Sequence, residues 1–78
     1  MSKVSVKLNS IDKVKEFVEI VSKFSASMDL SHGRYVVDAK SIMGVFSLDL
    51  SNELCLSISS DTEAETEAII NAVKKFTV

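Results

Sequence analysis

Several residue types that support particular structures and chemistries are scarce in this sequence of 78 residues. Cys55 is the only cysteine, which excludes an internal disulfide and a thiolate metal cluster and suits a reducing compartment. The only glycines are Gly33 and Gly44, too few for a glycine-rich loop that would hold a nucleotide. Proline is absent, and no apolar run approaches the ~18 residues of a membrane span.

The charged residues exclude a further class of partner. The net charge is −2 and the pI is near 5.2, and the basic residues are scattered, which argues against binding to nucleic acid. The N-terminal stretch "MSKVSVKLNS" lacks the apolar core of a signal peptide. We therefore expect one domain over residues 1–78, monomeric and cytoplasmic, that binds neither nucleic acid nor a membrane.

The periodicity of apolar residues predicts an α+β fold. Four stretches alternate apolar and polar residues at period two, which is typical of strands with one buried face: residues 3–8, 25–30, 34–39 and 53–59. Three further stretches predict helices: residues 11–24, 41–48 and 62–76. The order is β-α-β-β-α-β-α, which favours a four-stranded antiparallel sheet covered by helices on one face. Gly33, in "SHGR", is placed to adopt the positive φ of a hairpin turn that also contains His32.

The two long helices carry apolar stripes and capping signals. The first stripe comprises Ile11, Val14, Phe17, Val18, Val21 and Phe24. Ser10 is its predicted N-cap, and Asp12 suits the first turn. The second stripe comprises Ala64, Ala68, Ile69, Ala72, Val73 and Phe76. Ser60 with Glu63 forms a capping-box pattern there, and Asp61 is an alternative cap.

The stretch "DAKSIMGVFSLDLS", residues 38–51, is unusually apolar for a short segment and is either core or a docking surface. A helix of two turns cannot direct all its large side chains inward. We expect Val45 and Leu48 to reach the core, and Ile42, Met43 and Phe46 to remain partly exposed; the alternative is that the whole segment is buried. Ser41 is placed as the N-cap, where a hydroxyl also suits phosphorylation.

Candidates for catalysis are few. His32, the only histidine, is predicted in a turn without an orienting carboxylate or thiol, and Cys55 is predicted on the outer face of a strand as an unreactive thiol. Glu63, Glu65 and Glu67 are typical of a solvated helix face, and no spacing of ligands predicts a metal site. We therefore expect no enzyme active site, no metal and no cofactor.

The run Lys40-Ser41-Ile42-Met43-Gly44-Val45, within "KSIMGVFSLDL", resembles the segment after the third strand of HPr, the histidine-containing phosphocarrier protein of the sugar phosphotransferase system. "SKFSASMDLSHGRYVVDA" aligns upstream without gaps. The resemblance implies an open-faced β-sandwich. It also implies that Ser41 matches the serine phosphorylated by an ATP-dependent kinase in many low-GC Gram-positive bacteria. Lys40, Ile42, Met43 and Phe46 then fall where the family docks enzyme I, sugar-specific acceptors and a regulator of carbon catabolite control.

The family's phosphate-carrying motif, Gly-x-His-Ala-Arg-Pro, is missing. Its counterpart is "LNSIDKVK", which puts Ser10 at the histidine position, Asp12 at the arginine position and Lys13 at the proline position. A serine phosphoester does not pass phosphate onward as a phosphoramidate does, and Asp12 repels phosphate where the family offers a positive charge.

Three functional hypotheses follow. The first is a regulatory or binding module that has lost histidine relay and keeps Ser41 and the docking residues. The second is an active phosphocarrier that takes phosphate at another residue, such as His32. The third is an interaction domain unrelated to sugar transport, in which Ser41 is only a cap.

Overall fold

A computed structural model describes residues 2–78, and its element order confirms the prediction. The strands are β1 (Ser2–Val6), β2 (Ser27–His32), β3 (Tyr35–Asp38) and β4 (Leu54–Ser59), and the helices are α1 (Ile11–Val21), α2 (Ile42–Phe46) and α3 (Glu63–Ala72). A 3-10 turn, Lys74–Phe76, follows α3. All strand pairs are antiparallel, and the sheet order is β1-β4-β2-β3.

The core lies between one face of the sheet and the helices. Alternate residues of β4 and β2 point into it, and the aromatic rings of Phe17 and Phe76 meet edge to face with their centroids 5.6 Å apart. The largest fully buried side chains are Phe17, Leu8, Leu30, Leu54, Leu56, Ile58 and Ile69. Such burial is the main stabilising contribution in a domain of this size. None of the helices in residues 2–78 is long and apolar enough to cross a lipid bilayer.

The first helix ends earlier than its apolar stripe suggests. Residues 11–24 were the predicted span, but α1 stops at Val21 because the next amides, of Lys23 and Phe24, donate to carbonyls three residues back, at Ile20 and Val21. Phe24 still packs against the core from the turn that follows. Ile11 does not join the stripe: it lies in the first turn at the edge of the helix face and is exposed.

The start of α3 also differs from the prediction. Its N-cap is Thr62, whose hydroxyl accepts a hydrogen bond from the Glu65 amide at 3.1 Å, rather than Ser60 or Asp61. The Ser60 hydroxyl lies two residues before the cap, where it donates to the Glu65 carboxylate at 2.7 Å and accepts from the Thr62 amide at 3.3 Å. The predicted apolar stripe is wrong at Ala64 and Ala68. Both alanines are exposed, because α3 directs Ile69 and the following Val73 toward the core.

The hairpin between β2 and β3 is tighter than predicted. Gly33 has φ +61, which confirms its role in the turn, and only Gly33 and Arg34 lie outside the strands. A two-residue loop with glycine first matches the twist of the flanking strands. His32 is therefore the last residue of β2, paired with Tyr35, and not a turn residue.

Candidate functional site at the start of helix α2

Ser41 forms the N-cap of α2, as predicted. Its backbone is extended (φ −97, ψ 110), and its hydroxyl oxygen accepts a hydrogen bond from the Gly44 amide at 3.2 Å. Its own amide donates to the Asp38 carbonyl at 3.0 Å, so both sides of the residue are fixed. The side chain is half-buried. The hydroxyl oxygen acts as an acceptor here, and within residues 2–78 its proton is not donated to another group, which leaves it for an external base.

Gly44 allows α2 to lie close against β3. A Cβ added at Gly44 would stand 3.3 Å from the Ser41 hydroxyl oxygen and 3.3 Å from the Cβ of Val37. Both distances are tighter than ordinary van der Waals contact, so a larger residue would push on the hydroxyl or on the strand. One feature of the sequence indicates this role. Glycine inside a helix lowers stability, so a glycine at this position of a predicted helix indicates that close packing requires it.

The apolar residues of α2, together with Leu48 just after it, divide as predicted. Val45 is fully buried and Leu48 nearly so, whereas Met43 is 77% exposed, Ile42 36% and Phe46 37%. The alternative of complete burial is therefore wrong. Ile42, Met43 and Phe46, which we call the α2 patch, place apolar surface next to Ser41. That the α2 patch docks a partner stays a prediction.

Lys40 has an internal role that the sequence did not indicate. Its ammonium donates to the carbonyl of Phe24 at 2.7 Å, and its amide donates to the Asp38 carboxylate at 2.9 Å. The side chain thereby joins the start of α2 to the turn that ends α1. Its predicted role in docking is not tested by these contacts, but the ammonium would have to leave Phe24 to reach a partner.

The start of α1 presents the second predicted position. Ser10 caps the helix from an extended backbone (φ −151, ψ 157), and its hydroxyl accepts from the Lys13 amide at 3.2 Å. The ammonium of Lys13 donates to the Asn9 side-chain oxygen at 3.0 Å. Ser10, Asp12 and Lys13 are all exposed, and Asp12 places a carboxylate in the first turn.

His32 and Cys55 both lie in strands of the sheet, and neither belongs to the start of α1 or of α2. His32 is half-buried at the end of β2. Hydrogen bonds from the Ser51 hydroxyl and amide, with a smaller contribution from the charge of His32, lower the pKa of Asp49. Cys55 is half-buried in β4, opposite Ser5 on one side and Ser31 on the other. Within residues 2–78, no group of three histidine, cysteine, aspartate or glutamate side chains is placed to hold a metal ion.

Glu65 makes polar contacts that sequence reasoning missed, since it was assigned to a solvated face with Glu63 and Glu67. One carboxylate oxygen accepts from the Ser25 amide and hydroxyl and from the Ala26 amide, at 3.2, 3.0 and 3.2 Å. The other accepts from Ser60. The Ser60 and Ser25 hydroxyls, helped by the two amides, lower the pKa of Glu65. This carboxylate fixes the chain between α1 and β2 to α3.

The sheet order, the three helices and the hydroxyl-capped α2 define the HPr-like open-faced sandwich. Residues 12–77 match the family described as "PTS HPr component phosphorylation site". The chain belongs to this HPr phosphocarrier family of the phosphotransferase system. That membership makes the third hypothesis, an unrelated interaction domain, the weakest of the three. No curated protein matches the sequence.

Solved structures agree with this assignment. HPr-C-His from Thermoanaerobacter tengcongensis is 29% identical with a TM-score of 0.77, over 96% of this chain and 93% of that one. An HPr from Bacillus anthracis is 28% identical with a TM-score of 0.66, over 92% and 93%. The histidine-containing phosphocarrier protein of a Mycoplasma is 18% identical with a TM-score of 0.76, over 95% and 89%, and shows the shared fold alone.

Proposed function

We infer that this protein is a regulatory or binding module of the phosphotransferase system that has lost histidine relay. Ser41 receives phosphate from an ATP-dependent serine kinase, and the α2 patch, with Lys40, docks partners. One observation carries the proposal: the Ser41 hydroxyl is held at the start of α2, directly beside exposed Ile42 and Met43.

Phosphorylation of Ser41 would change the α2 patch without unfolding the domain. The hydroxyl attacks the γ-phosphorus of ATP, a base of the kinase takes the hydroxyl proton, and ADP leaves. The product carries about two negative charges at neutral pH. Those charges lie beside an apolar surface, so they favour a partner with basic groups and disfavour one that needs a dry apolar contact. One modification would thus select between partners.

The start of α1 supports the loss of relay. Ser10 offers an alcohol where an imidazole is required for a labile phosphoramidate, and exposed Asp12 repels an approaching phosphoryl group. Without relay, the module would compete with a true phosphocarrier for shared partners: enzyme I, sugar-specific acceptors or a carbon-control regulator. These partners place the protein in the cytoplasm, in keeping with its unpaired Cys55.

The test is phosphorylation by a serine kinase of this family with ATP. The parent protein and Ser10→Ala should be labelled equally, and Ser41→Ala should not be labelled. Ser10→Ala is the matched control because it removes the other serine N-cap and its hydrogen bond. Label that persists in Ser41→Ala would contradict the proposal.

A second candidate keeps phosphocarrier activity and places the phosphate on His32. His32 favours it as the only imidazole in the sequence, half-buried at the end of β2, since a phosphoramidate requires an imidazole nitrogen. Enzyme I and phosphoenolpyruvate would then give acid-labile, base-stable label that disappears in His32→Ala. If the parent protein takes no such label, this candidate fails.

A further inference from the structure

The two edges of the sheet differ in whether another segment of the chain pairs with them. Along β1, the last residues of the chain occupy the open edge: the Val78 amide donates to the Ser5 carbonyl at 3.1 Å, and the Lys7 amide donates to the Phe76 carbonyl at 2.8 Å. Val6 also forms a bridge with Thr77. Covering an edge in this way prevents pairing with another chain.

The edge at β3 carries apolar side chains in the open. Tyr35 is 73% exposed and Val36 62% exposed. The Ala39 amide donates to the Met28 carbonyl at 3.0 Å, so Ala39 faces β2. Because the backbone direction alternates along an antiparallel strand, Val37 and Tyr35 also face β2, whereas Val36 and Asp38 direct their amides outward. An exposed edge with this backbone is a template for another strand.

The sequence of this edge is complementary to itself. If two copies of β3 pair antiparallel about a two-fold axis at Val36, Val36 meets Val36, Tyr35 meets Val37, and Arg34 meets Asp38. Val36, whose backbone groups face outward, then pairs with Val36 of the other copy, and at each end of the interface Arg34, in the turn before β3, meets Asp38 and joins opposite charges. Two-fold pairing of this kind repeats every contact.

A charge already present at this edge favours the same register. Asp38 lies directly opposite Asp29 of β2, and like charges across a strand pair are destabilising. Asp38 and Val36 share the outer face of the sheet, because the alternate residues Val37 and Leu30 pair on the inner face. Arg34 of a second copy would arrive at that face, beside the two carboxylates, and reduce their repulsion.

We propose that β3 is an interaction surface for a second copy of this chain, which pairs with it antiparallel at Val36 and extends the sheet to a second domain. This inference does not depend on the proposed role of Ser41, and it replaces the expectation of a monomer. The edge is short, so the contact area is small and the dimer is weak, populated at high protein concentration.

Sedimentation velocity over a concentration series tests the proposal with paired charge variants. Arg34→Asp places a new carboxylate against Asp38 at both ends of the interface, and Asp38→Lys places a new ammonium against Arg34. Each variant alone should dimerise at least about tenfold more weakly than the parent protein. An equimolar mixture of the two variants should recover a dimer. At one end of the mixed interface the new carboxylate meets the new ammonium, and at the other end the unchanged Asp38 meets the unchanged Arg34, so both ends join opposite charges.

Controls separate the register from net charge and from folding. Lys23→Asp and Glu53→Lys make the same charge changes at exposed positions outside β3 and should dimerise like the parent protein. Val36→Pro removes an amide that faces away from β2, so it should keep the circular dichroism of the parent protein and abolish the dimer. This variant also serves if Asp38→Lys fails to fold, since the Asp38 carboxylate accepts from the Lys40 amide.

Any one of the following results would overturn the proposal: a parent protein that stays monomeric at millimolar concentration, charge variants that dimerise as well as the parent, or a mixture that recovers no dimer. A dimer that survives Val36→Pro would place the interface elsewhere and would equally refute it.

Discussion

Two serines cap helices in this domain from extended backbones, yet only one of them lies beside an exposed apolar surface. Ser10 and Ser41 each have an extended backbone, and each hydroxyl accepts a hydrogen bond of 3.2 Å from the amide three residues later. Ser10 is exposed and is followed by the carboxylate of Asp12. Ser41 is half-buried and is followed by the α2 patch.

The difference shows that a cap alone does not define a functional site. A hydroxyl that caps a helix is accessible to phosphate chemistry at both positions, but the charge and the apolar surface beside it decide whether a modification would be read by a partner. At Ser10 the surroundings are charged and solvated. At Ser41 a phosphate would lie beside the exposed apolar side chains of the α2 patch.

The largest expected effect comes from restoring the family motif at the first cap. The variant Ser10→His/Asp12→Arg/Lys13→Pro supplies an imidazole to form the phosphoramidate and a guanidinium to hold the phosphate. If the docking half of the surface is intact, this variant should change from unlabelled to labelled by enzyme I and phosphoenolpyruvate. Acid lability of the label identifies the phosphoramidate.

Ser10→His alone serves as the control, because it supplies the nucleophile but leaves Asp12 repelling the phosphoryl group; it should be labelled more slowly. A triple variant that folds and yet takes no label would show that more than the α1 motif has been lost, which would weaken the assignment of the α2 patch as a docking surface.

The next effect concerns Gly44. Gly44→Ala should destabilise the domain by about 1–2 kcal/mol, because overpacking against Ser41 and Val37 outweighs the better helix propensity of alanine. The same variant should be a poorer kinase substrate, since its Cβ crowds the Ser41 hydroxyl. Urea unfolding and initial rates of labelling measure the two effects.

Gly33→Ala is the control for Gly44→Ala. It should cost a similar ~1–2 kcal/mol, because Gly33 has φ +61, a conformation that alanine adopts poorly. No atom lies within 4 Å of its added Cβ, so labelling of Ser41 should be unchanged. Equal loss of labelling in both variants would mean that stability, and not the position of the hydroxyl, controls the rate.

A smaller difference separates the two serine caps themselves. Ser10→Ala should cost about 0.5–1 kcal/mol, the ordinary loss for an exposed N-cap. Ser41→Ala should cost about 1–2 kcal/mol, because the Gly44 amide it leaves unpaired is only partly accessible to water. Urea unfolding of both variants at one pH gives the comparison. Equal losses in the free energy of unfolding would show that the partial burial around Ser41 does not increase the stability that its cap contributes.

The smallest effect appears only in acid. Hydrogen bonds lower the pKa of Glu65 below its ordinary value of 4.5, so the stability they contribute is fully present above that pH. It declines as the pH falls below 4.5 and is lost once the pH has passed through the lower pKa of the folded state. Thermal unfolding of the parent protein should therefore drop more steeply in this range than that of Glu65→Gln. Exposed Glu67→Gln should follow the parent protein, and a parallel drop in all three proteins would contradict the role of Glu65.

The sequence predicted the features whose cause is local. Alternating residues define the strands, and the division of the α2 residues into buried Val45 and exposed Met43 follows from the geometry of a short helix. The cap at Ser41 was predictable for the same reason, since its partner, Gly44, lies three residues away.

The missed features depend on distant parts of the chain. Glu65 binds Ser25, which precedes it by 40 residues, so no periodicity could distinguish it from its solvated neighbours. The ammonium of Lys40 reaches the carbonyl of Phe24, a contact set by how α1 and α2 pack. At the start of α3, Thr62 caps the helix while the Ser60 hydroxyl donates to the Glu65 carboxylate, an arrangement that the capping pattern does not predict.

The central claim is that Ser41, and not the start of α1, is the site of phosphate chemistry. It is tested most directly by treating the unmodified protein in parallel with two phosphoryl donors, phosphoenolpyruvate with enzyme I and ATP with a serine kinase of this family, and mapping the labelled residue. We expect label from ATP alone, on Ser41. Acid-labile label from phosphoenolpyruvate, or ATP-dependent label at any residue other than Ser41, would contradict the account.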